Sequence, residues 1–143
     1  MELNEISRAI IGAAMKVHSA LGPGLLESAY EACLAYELRE SGFNVQLQVG
    51  LPVVYRGIQI DLGYRLDMIV SDRVIVELKA CDGINNVHQA QLISYLKLSG
   101  KQLGLLINFH ELHLKDGIKR FVNRDFKTSE SSASSVVQRV SEG

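Results

Sequence analysis

The chain has 143 residues, of which 47% are hydrophobic and 22% charged, and its formal net charge is −1. This length and composition fit one soluble globular domain, and so small a charge gives no overall electrostatic attraction to nucleic acid. The start of the chain lacks the pattern of a signal peptide, and no apolar stretch reaches the roughly 18–20 residues that cross a bilayer. We therefore expect a cytoplasmic protein without membrane contact.

Two helices are predicted at the start of the chain. Apolar residues recur at steps of three and four over residues 4–20, which indicates an amphipathic helix. A glycine-rich break follows, in which Pro23 suits the first turn of a second helix. Gly42 is placed to end that second helix.

Strands are predicted where the apolar period changes to two. This alternation covers residues 45–55 and 58–70, and a strand at 74–81 follows after a short turn. Over 58–70 the even-numbered residues from Ile58 to Val70 are expected to face one side of the sheet.

A third helix is predicted over residues 86–99. Asn86 and Gln89 resemble a capping box at its start, and Gly100 lies where a C-cap belongs. The almost wholly apolar run at 103–109 predicts a central strand that is covered on both faces.

The rest of the chain completes an α/β domain with a mixed central β-sheet flanked by helices. Weaker strands are expected at 112–115 and 118–122. We assign residues 1–126 to this single domain. The serine-rich residues 127–143 are expected to form a frayed tail or a short helix through the valines at its end.

Glu77 and Lys79 interrupt an otherwise apolar strand with a carboxylate and an ammonium. Alternation directs both side chains to one face, about 6.6 Å apart along the strand. A three-residue turn at 71–73 would set Asp67 opposite Glu77, whereas a two-residue turn would direct Asp67 to the other face. The hydrophobic pattern favours the three-residue turn.

Two carboxylates in opposite positions on neighbouring strands would lie about 5 Å apart. Their repulsion would be roughly 3 kcal/mol at an effective dielectric constant of 20. Lys79 would offset part of this, and a divalent cation would offset more; hard oxygen ligands suit Mg²⁺. The alternative is a plain cross-strand ion pair in which Lys79 neutralises Glu77 on a solvated face.

Other polar residues share faces of the predicted helices. Gln91 and Tyr95 lie one turn apart on the third helix, with His88 on the same side. Glu27 and Tyr30 lie one turn apart on the second helix. Together with the strand residues they form one polar constellation across four elements.

The order of these residues resembles a known family. Asp67, then Glu77-Leu78-Lys79 on the next strand, then a helix with Gln91 resembles the signature of the PD-(D/E)xK nuclease superfamily, although Leu66 stands where the signature has proline. The segment GLLESAY, residues 24–30, resembles the signature of the GxxExxY protein family, a branch of that superfamily. The similarity covers about residues 5–124. It implies a restriction-endonuclease-like core.

The resemblance also implies a metal site. Asp67, Glu77 and the backbone carbonyl of Leu78 would hold Mg²⁺, with Mn²⁺ as a substitute, and Glu27 would complete the site. Glu31, one turn beyond Glu27, is expected at the surface and outside the site. Asp61 is also excluded, because it would lie about 20 Å along the strand from Asp67.

The remaining motif residues are implied to support catalysis. Lys79 would orient the attacking water or stabilise charge on the phosphate, and Gln91 and Tyr95 would support the site or the scissile phosphate. The implied function is magnesium-dependent hydrolysis of phosphodiester bonds in DNA or RNA. Two alternatives stay open: a catalytically silent nuclease-fold domain that binds nucleic acid or a protein partner, and a homodimer with a structural role.

Overall fold

The computed structural model describes residues 1–124 and the strand at residues 135–139. In the described residues two helices come first, five strands follow, and a helix, a strand, a short 3-10 helix and two further strands come after them. In chain order these elements are α1 (Leu3–Leu21), α2 (Glu27–Glu40), β1 (Val45–Gly50), β2 (Val53–Tyr55), β3 (Ile58–Ile60), β4 (Arg65–Val70), β5 (Val74–Lys79), α3 (Asn86–Ser99), β6 (Leu103–Asn108), the 3-10 helix (Leu114–Gly117), β7 (Ile118–Asn123) and β8 (Ser135–Arg139).

Six strands form one mixed sheet in the order β1-β4-β5-β6-β7-β8. Strands β5 and β6 are parallel, and the other neighbouring strands in this sheet are antiparallel. A parallel pair needs a long crossover connection, which α3 supplies. Every residue of β6 is buried, as its apolar sequence predicts. The predicted α/β class with a mixed sheet and flanking helices is confirmed.

The sheet separates two hydrophobic cores. The core on one face contains residues of α1 and α2 such as Ile10 and Leu34. The core on the other face contains Leu92 and Leu96 of α3. Strand β5 divides its side chains between the two, because Val76 belongs to the first core and Ile75 to the second. The alternation predicted for this strand is therefore confirmed.

The turn between β4 and β5 has the predicted register. Val70 lies opposite Val74, so residues 71–73 form the three-residue connection. Ser71 and Asp72 adopt φ angles of +54° and +56°, in the left-handed region. This register is the one that directs Asp67 and Glu77 to the same position along the strand pair.

The prediction of one strand over residues 58–70 is wrong, because this segment contains two separate strands, β3 and β4. Strand β3 pairs with β2 in a separate two-stranded sheet, and β4 joins the main sheet. Between them Gly63 has a φ of +80°, and its amide donates to Oδ1 of Asp61 at 3.2 Å. Asp61 thus lies in a loop. The expected single face also fails, since Leu66 packs in the second core and Met68 in the first.

Two helix starts differ from the prediction by local geometry. Gly22 and Gly24 hold φ angles of +73° and +125° on either side of Pro23, so α2 begins only at Glu27. The cap of α3 is Asn85, whose side chain accepts from the amide of His88 at 2.9 Å. The capping box is therefore one residue earlier than the predicted one.

The end of the chain also departs from expectation. The strand expected at 112–115 is replaced by a loop and the 3-10 helix, whereas the strand expected at 118–122 is β7. Residues 135–139 pair with β7 as a strand rather than forming a short helix. The other parts of the predicted tail lie outside the described residues. In the described chain, no helix is both long and apolar enough to cross a membrane.

Candidate functional site

Asp67 and Glu77 each accept a hydrogen bond from the strand of the other. The amide of Asp67 donates to Oε2 of Glu77 at 2.9 Å, and the amide of Leu78 donates to Oδ2 of Asp67 at 2.9 Å. The backbone ladder between β4 and β5 runs only as far as Met68 opposite Val76. At the next position side-chain oxygens therefore accept the amide hydrogens, and both carboxylates are held at one end of the strand pair.

Glu77 is a buried carboxylate that has no close cation in the part of the chain that the structure describes. Its residue is 4% exposed. Burial raises the pKa of Glu77 to about 8, the charges of Asp67 and Glu27 act in the same direction, and the Asp67 amide and Lys79 oppose them. Within residues 1–124, no Lys, Arg or His nitrogen lies within 4.0 Å of its oxygens. The alternative of a plain Glu77–Lys79 ion pair is therefore not what this part of the chain forms.

The donor chemistry of the pair fits a divalent cation. Carboxylate oxygens are the ligands that Mg²⁺ prefers, and a buried carboxylate is stabilised by a positive charge beside it. Among the described residues, no group of three or more His, Cys, Asp or Glu side chains is placed to hold a metal ion. The pair itself would offer two side-chain carboxylates to such an ion, and the carbonyl of Leu78 would add a third oxygen.

Helix α2 brings two further carboxylates toward the pair. Glu27, its first residue, is exposed and contributes to the raised pKa of Glu77. Glu31 is partly buried, and its Oε2 accepts from Nε2 of Gln48 at 2.8 Å. Burial raises the pKa of Glu31, the bond from Gln48 opposes this, and the charges of Asp67 and Glu27 raise it further. Glu31, which is expected at the surface, is therefore partly buried and lies close enough to Asp67 and Glu27 to be affected by their charges.

Tyr30 lies in the first hydrophobic core and not among the polar residues of the candidate site. Its ring is fully buried. Its hydroxyl donates to the carbonyl of Gly22 at 2.5 Å and accepts from the amide of Leu25 at 3.0 Å. These two bonds tie down the loop that leads into Glu27, the start of α2.

The ring of Tyr30 also connects α2 to the strand that carries Lys79. Tyr30 and Phe109 stack with their centroids 4.5 Å apart and an interplanar angle of 11°. The amide of Phe109 donates to the carbonyl of Lys79 at 2.8 Å. A continuous path of packing and hydrogen bonding therefore joins the two halves of the candidate site.

Helix α3 places Tyr95 beside the acidic pair. Tyr95 is 7% exposed, and its ring centroid lies 6.3 Å from that of Tyr64. Burial raises the pKa of Tyr95, and the negative charge of Glu77 contributes next. Gln91, one turn earlier, is partly buried. His88 is used in the helix cap, where its Nδ1 accepts from the amide of Asn85 at 3.2 Å.

Two residues of the surroundings, Gln48 opposite Asp67 and Tyr64 beside Tyr95, have no individual signal in the sequence. Gln48 occupies a polar position of an alternating strand, which predicts only a solvated face. Tyr64 lies in the segment that was predicted as continuous strand. Both reach the site through non-local contacts, and a local hydrophobic period contains no information about those.

Comparison with protein families identifies one match. A family model described as the PD-(D/E)XK nuclease superfamily matches residues 4–121. This range runs from α1 into β7 and includes all the site residues predicted above. Comparisons with curated proteins and with solved structures give no match.

Proposed function

Because this chain belongs to the PD-(D/E)XK nuclease superfamily, we propose that it is a metal-dependent nuclease that hydrolyses phosphodiester bonds in DNA or RNA. The observation that carries the proposal is the interlocked pair of Asp67 and Glu77, of which the second is buried without a close cation in the described chain. Two carboxylates held at the same end of one strand pair support the proposal, because hard oxygen donors are the ligands that Mg²⁺ prefers.

In this proposal the acidic pair holds Mg²⁺, or Mn²⁺ in its place. Asp67, Glu77 and the carbonyl of Leu78 are the ligands, and Glu27 faces the site from the start of α2. When bound, the ion lowers the pKa of a water molecule and acts as a Lewis acid toward the phosphate. Glu77 would release its proton when the ion binds, because ligation requires the carboxylate form.

The other site residues act on water and phosphate. Lys79 is a compact cation that donates a hydrogen bond to the attacking water or to a phosphate oxygen. Tyr95 offers a hydroxyl at the edge of the second core, and Gln91 offers an amide one turn away. Burial of the Tyr95 ring fixes that side chain, so its hydroxyl is available without a large loss of rotamer freedom.

The proposal is tested by cleavage of varied DNA and RNA substrates with Mg²⁺, Mn²⁺ or EDTA. We expect cleavage only with a metal, and a loss of roughly a hundredfold or more in Lys79→Ala, the scale on which a single stabilising donor contributes. Lys97→Ala is the matched control, because Lys97 is exposed on α3. No cleavage of any substrate would contradict the proposal, and metal-independent binding without cleavage would favour the silent nucleic-acid-binding alternative.

A further inference from the structure

Strand β1 reverses the direction of its side chains at Gln48. Leu47 packs against the first core and Val49 against the second, although alternation would put both on one face. Between them Gln48 has a φ of +52°, in the left-handed region that L-residues disfavour. The register on either side sets Gln48 opposite Asp67 of β4. The strained residue is therefore the direct cross-strand neighbour of the candidate ligand.

The side chain of Gln48 reaches α2. Its Nε2 donates to Oε2 of Glu31 at 2.8 Å, a contact between residues 17 apart in sequence. Glu31 lies one helical turn after Glu27. The negative charges of Asp67 and Glu27 both disfavour the ionised form of Glu31. The amide of Gln48 thus holds the carboxylate of Glu31 where the carboxylates of Asp67 and Glu27 repel it.

We propose that Glu31 is a supporting carboxylate of the same site, which strengthens the binding of a divalent cation by its charge without ligating it, and that Gln48 positions it. The inference rests on the proposed function, since it assumes that Asp67 and Glu77 hold the ion. In this arrangement Glu31 acts from outside the ligand set of the proposed function, and its hydrogen bond to Gln48, which lies opposite Asp67, holds its carboxylate near the pair.

The charge of Glu31 has opposite effects with and without the ion. In the metal-free protein it repels its acidic neighbours, so Glu31→Gln should leave stability unchanged or raise it. With a divalent ion present the same charge attracts, and its loss should weaken binding by about five- to tenfold for a charge a short distance beyond the ligands and screened by water. If Glu31 only accepted a structural hydrogen bond, Glu31→Gln would leave both stability and metal affinity nearly unchanged, because glutamine keeps an acceptor oxygen for Gln48.

The experiment is a Mn²⁺ titration followed by electron paramagnetic resonance, with urea unfolding of each protein in EDTA. We compare the unsubstituted protein, Glu31→Gln and the control Glu40→Gln, in which an exposed glutamate at the end of α2 is neutralised. The exchanged pair Glu31→Gln with Gln48→Glu restores both the charge and a hydrogen-bonding partner. We expect affinity to fall about five- to tenfold in Glu31→Gln only and to recover in the exchanged pair.

Other outcomes separate the two proposals. If the unsubstituted protein binds Mn²⁺ and Glu31→Gln binds it equally well, this inference is overturned and the proposed function stands. Loss of stability in EDTA with unchanged affinity gives Glu31 a structural role and also overturns the inference. If the unsubstituted protein does not bind Mn²⁺, the proposed function fails and the inference fails with it.

Discussion

Replacing Glu77 with glutamine tests whether a costly buried charge lies at the centre of the site. Glutamine keeps the shape of the side chain and an oxygen that accepts a hydrogen bond, but it carries no charge. The Asp67 amide, which donates to Oε2 of Glu77 at 2.9 Å, would therefore retain a partner. Differences between the two proteins should come from ionisation rather than from a cavity or a lost hydrogen bond.

The expected difference in free energy of unfolding follows from the pKa of Glu77, which is raised from 4.5 to about 8. Between these two values the unfolded chain has released a proton that the folded protein still holds, so the free energy of unfolding falls as pH rises. The slope from this group is up to about 1.4 kcal/mol per pH unit, and it levels off above pH 8. At pH 7 the glutamine variant should be more stable by about 3 kcal/mol.

The assay is urea unfolding in EDTA at pH values from 5 to 9, followed by circular dichroism. We expect the stabilities of the two proteins to be similar near pH 5 and to separate steadily up to pH 8, with equal dependence on urea concentration. Glu40→Gln, at an exposed position, should follow the unsubstituted protein throughout. Parallel pH profiles for the Glu77→Gln and unsubstituted proteins would refute the reasoning, because they would mean that the Glu77 charge costs nothing in the native state.

Two further substitutions test the parts around the pair. Tyr30→Phe removes the hydroxyl that bonds Gly22 and Leu25, and should lower the free energy of unfolding by about 1–2 kcal/mol. The control Tyr36→Phe, at an exposed ring, should change this free energy little. Equal effects of the two substitutions would contradict the claim that the Tyr30 hydroxyl stabilises the loop before α2. Asp67→Asn should abolish the rise in melting temperature produced by Mn²⁺, whereas the exposed Asp61→Asn should retain it. Retention of that rise in Asp67→Asn would remove Asp67 from the ligands.

The sequence contains most of the local information from which the acidic pair can be predicted. Alternation in β5 assigns Val76 and Glu77 to opposite faces, and the hydrophobic match across the turn selects the register with Val70 opposite Val74. These are short-range constraints, because a shift of one residue would expose an entire apolar face. The structure therefore agrees with the prediction where a strong hydrophobic period determines the pairing.

Prediction failed where partners distant in sequence decide the outcome. The alternation over residues 58–70 continues without a break, but β3 pairs with β2 and not with the main sheet. The contact of Glu31 with Gln48 depends on a left-handed backbone in β1, for which glutamine gives no sequence signal. The stacking of Tyr30 on Phe109 is likewise a contact that only the tertiary fold defines.

The most direct test of the central claim is a crystal of the protein soaked in Mn²⁺ and measured at a wavelength where the ion scatters anomalously. We predict one anomalous peak that touches an oxygen of Asp67, an oxygen of Glu77 and the carbonyl of Leu78, each at about 2.0–2.3 Å. A well-diffracting soaked crystal with no peak there, or with a peak that contacts neither carboxylate, would contradict the account.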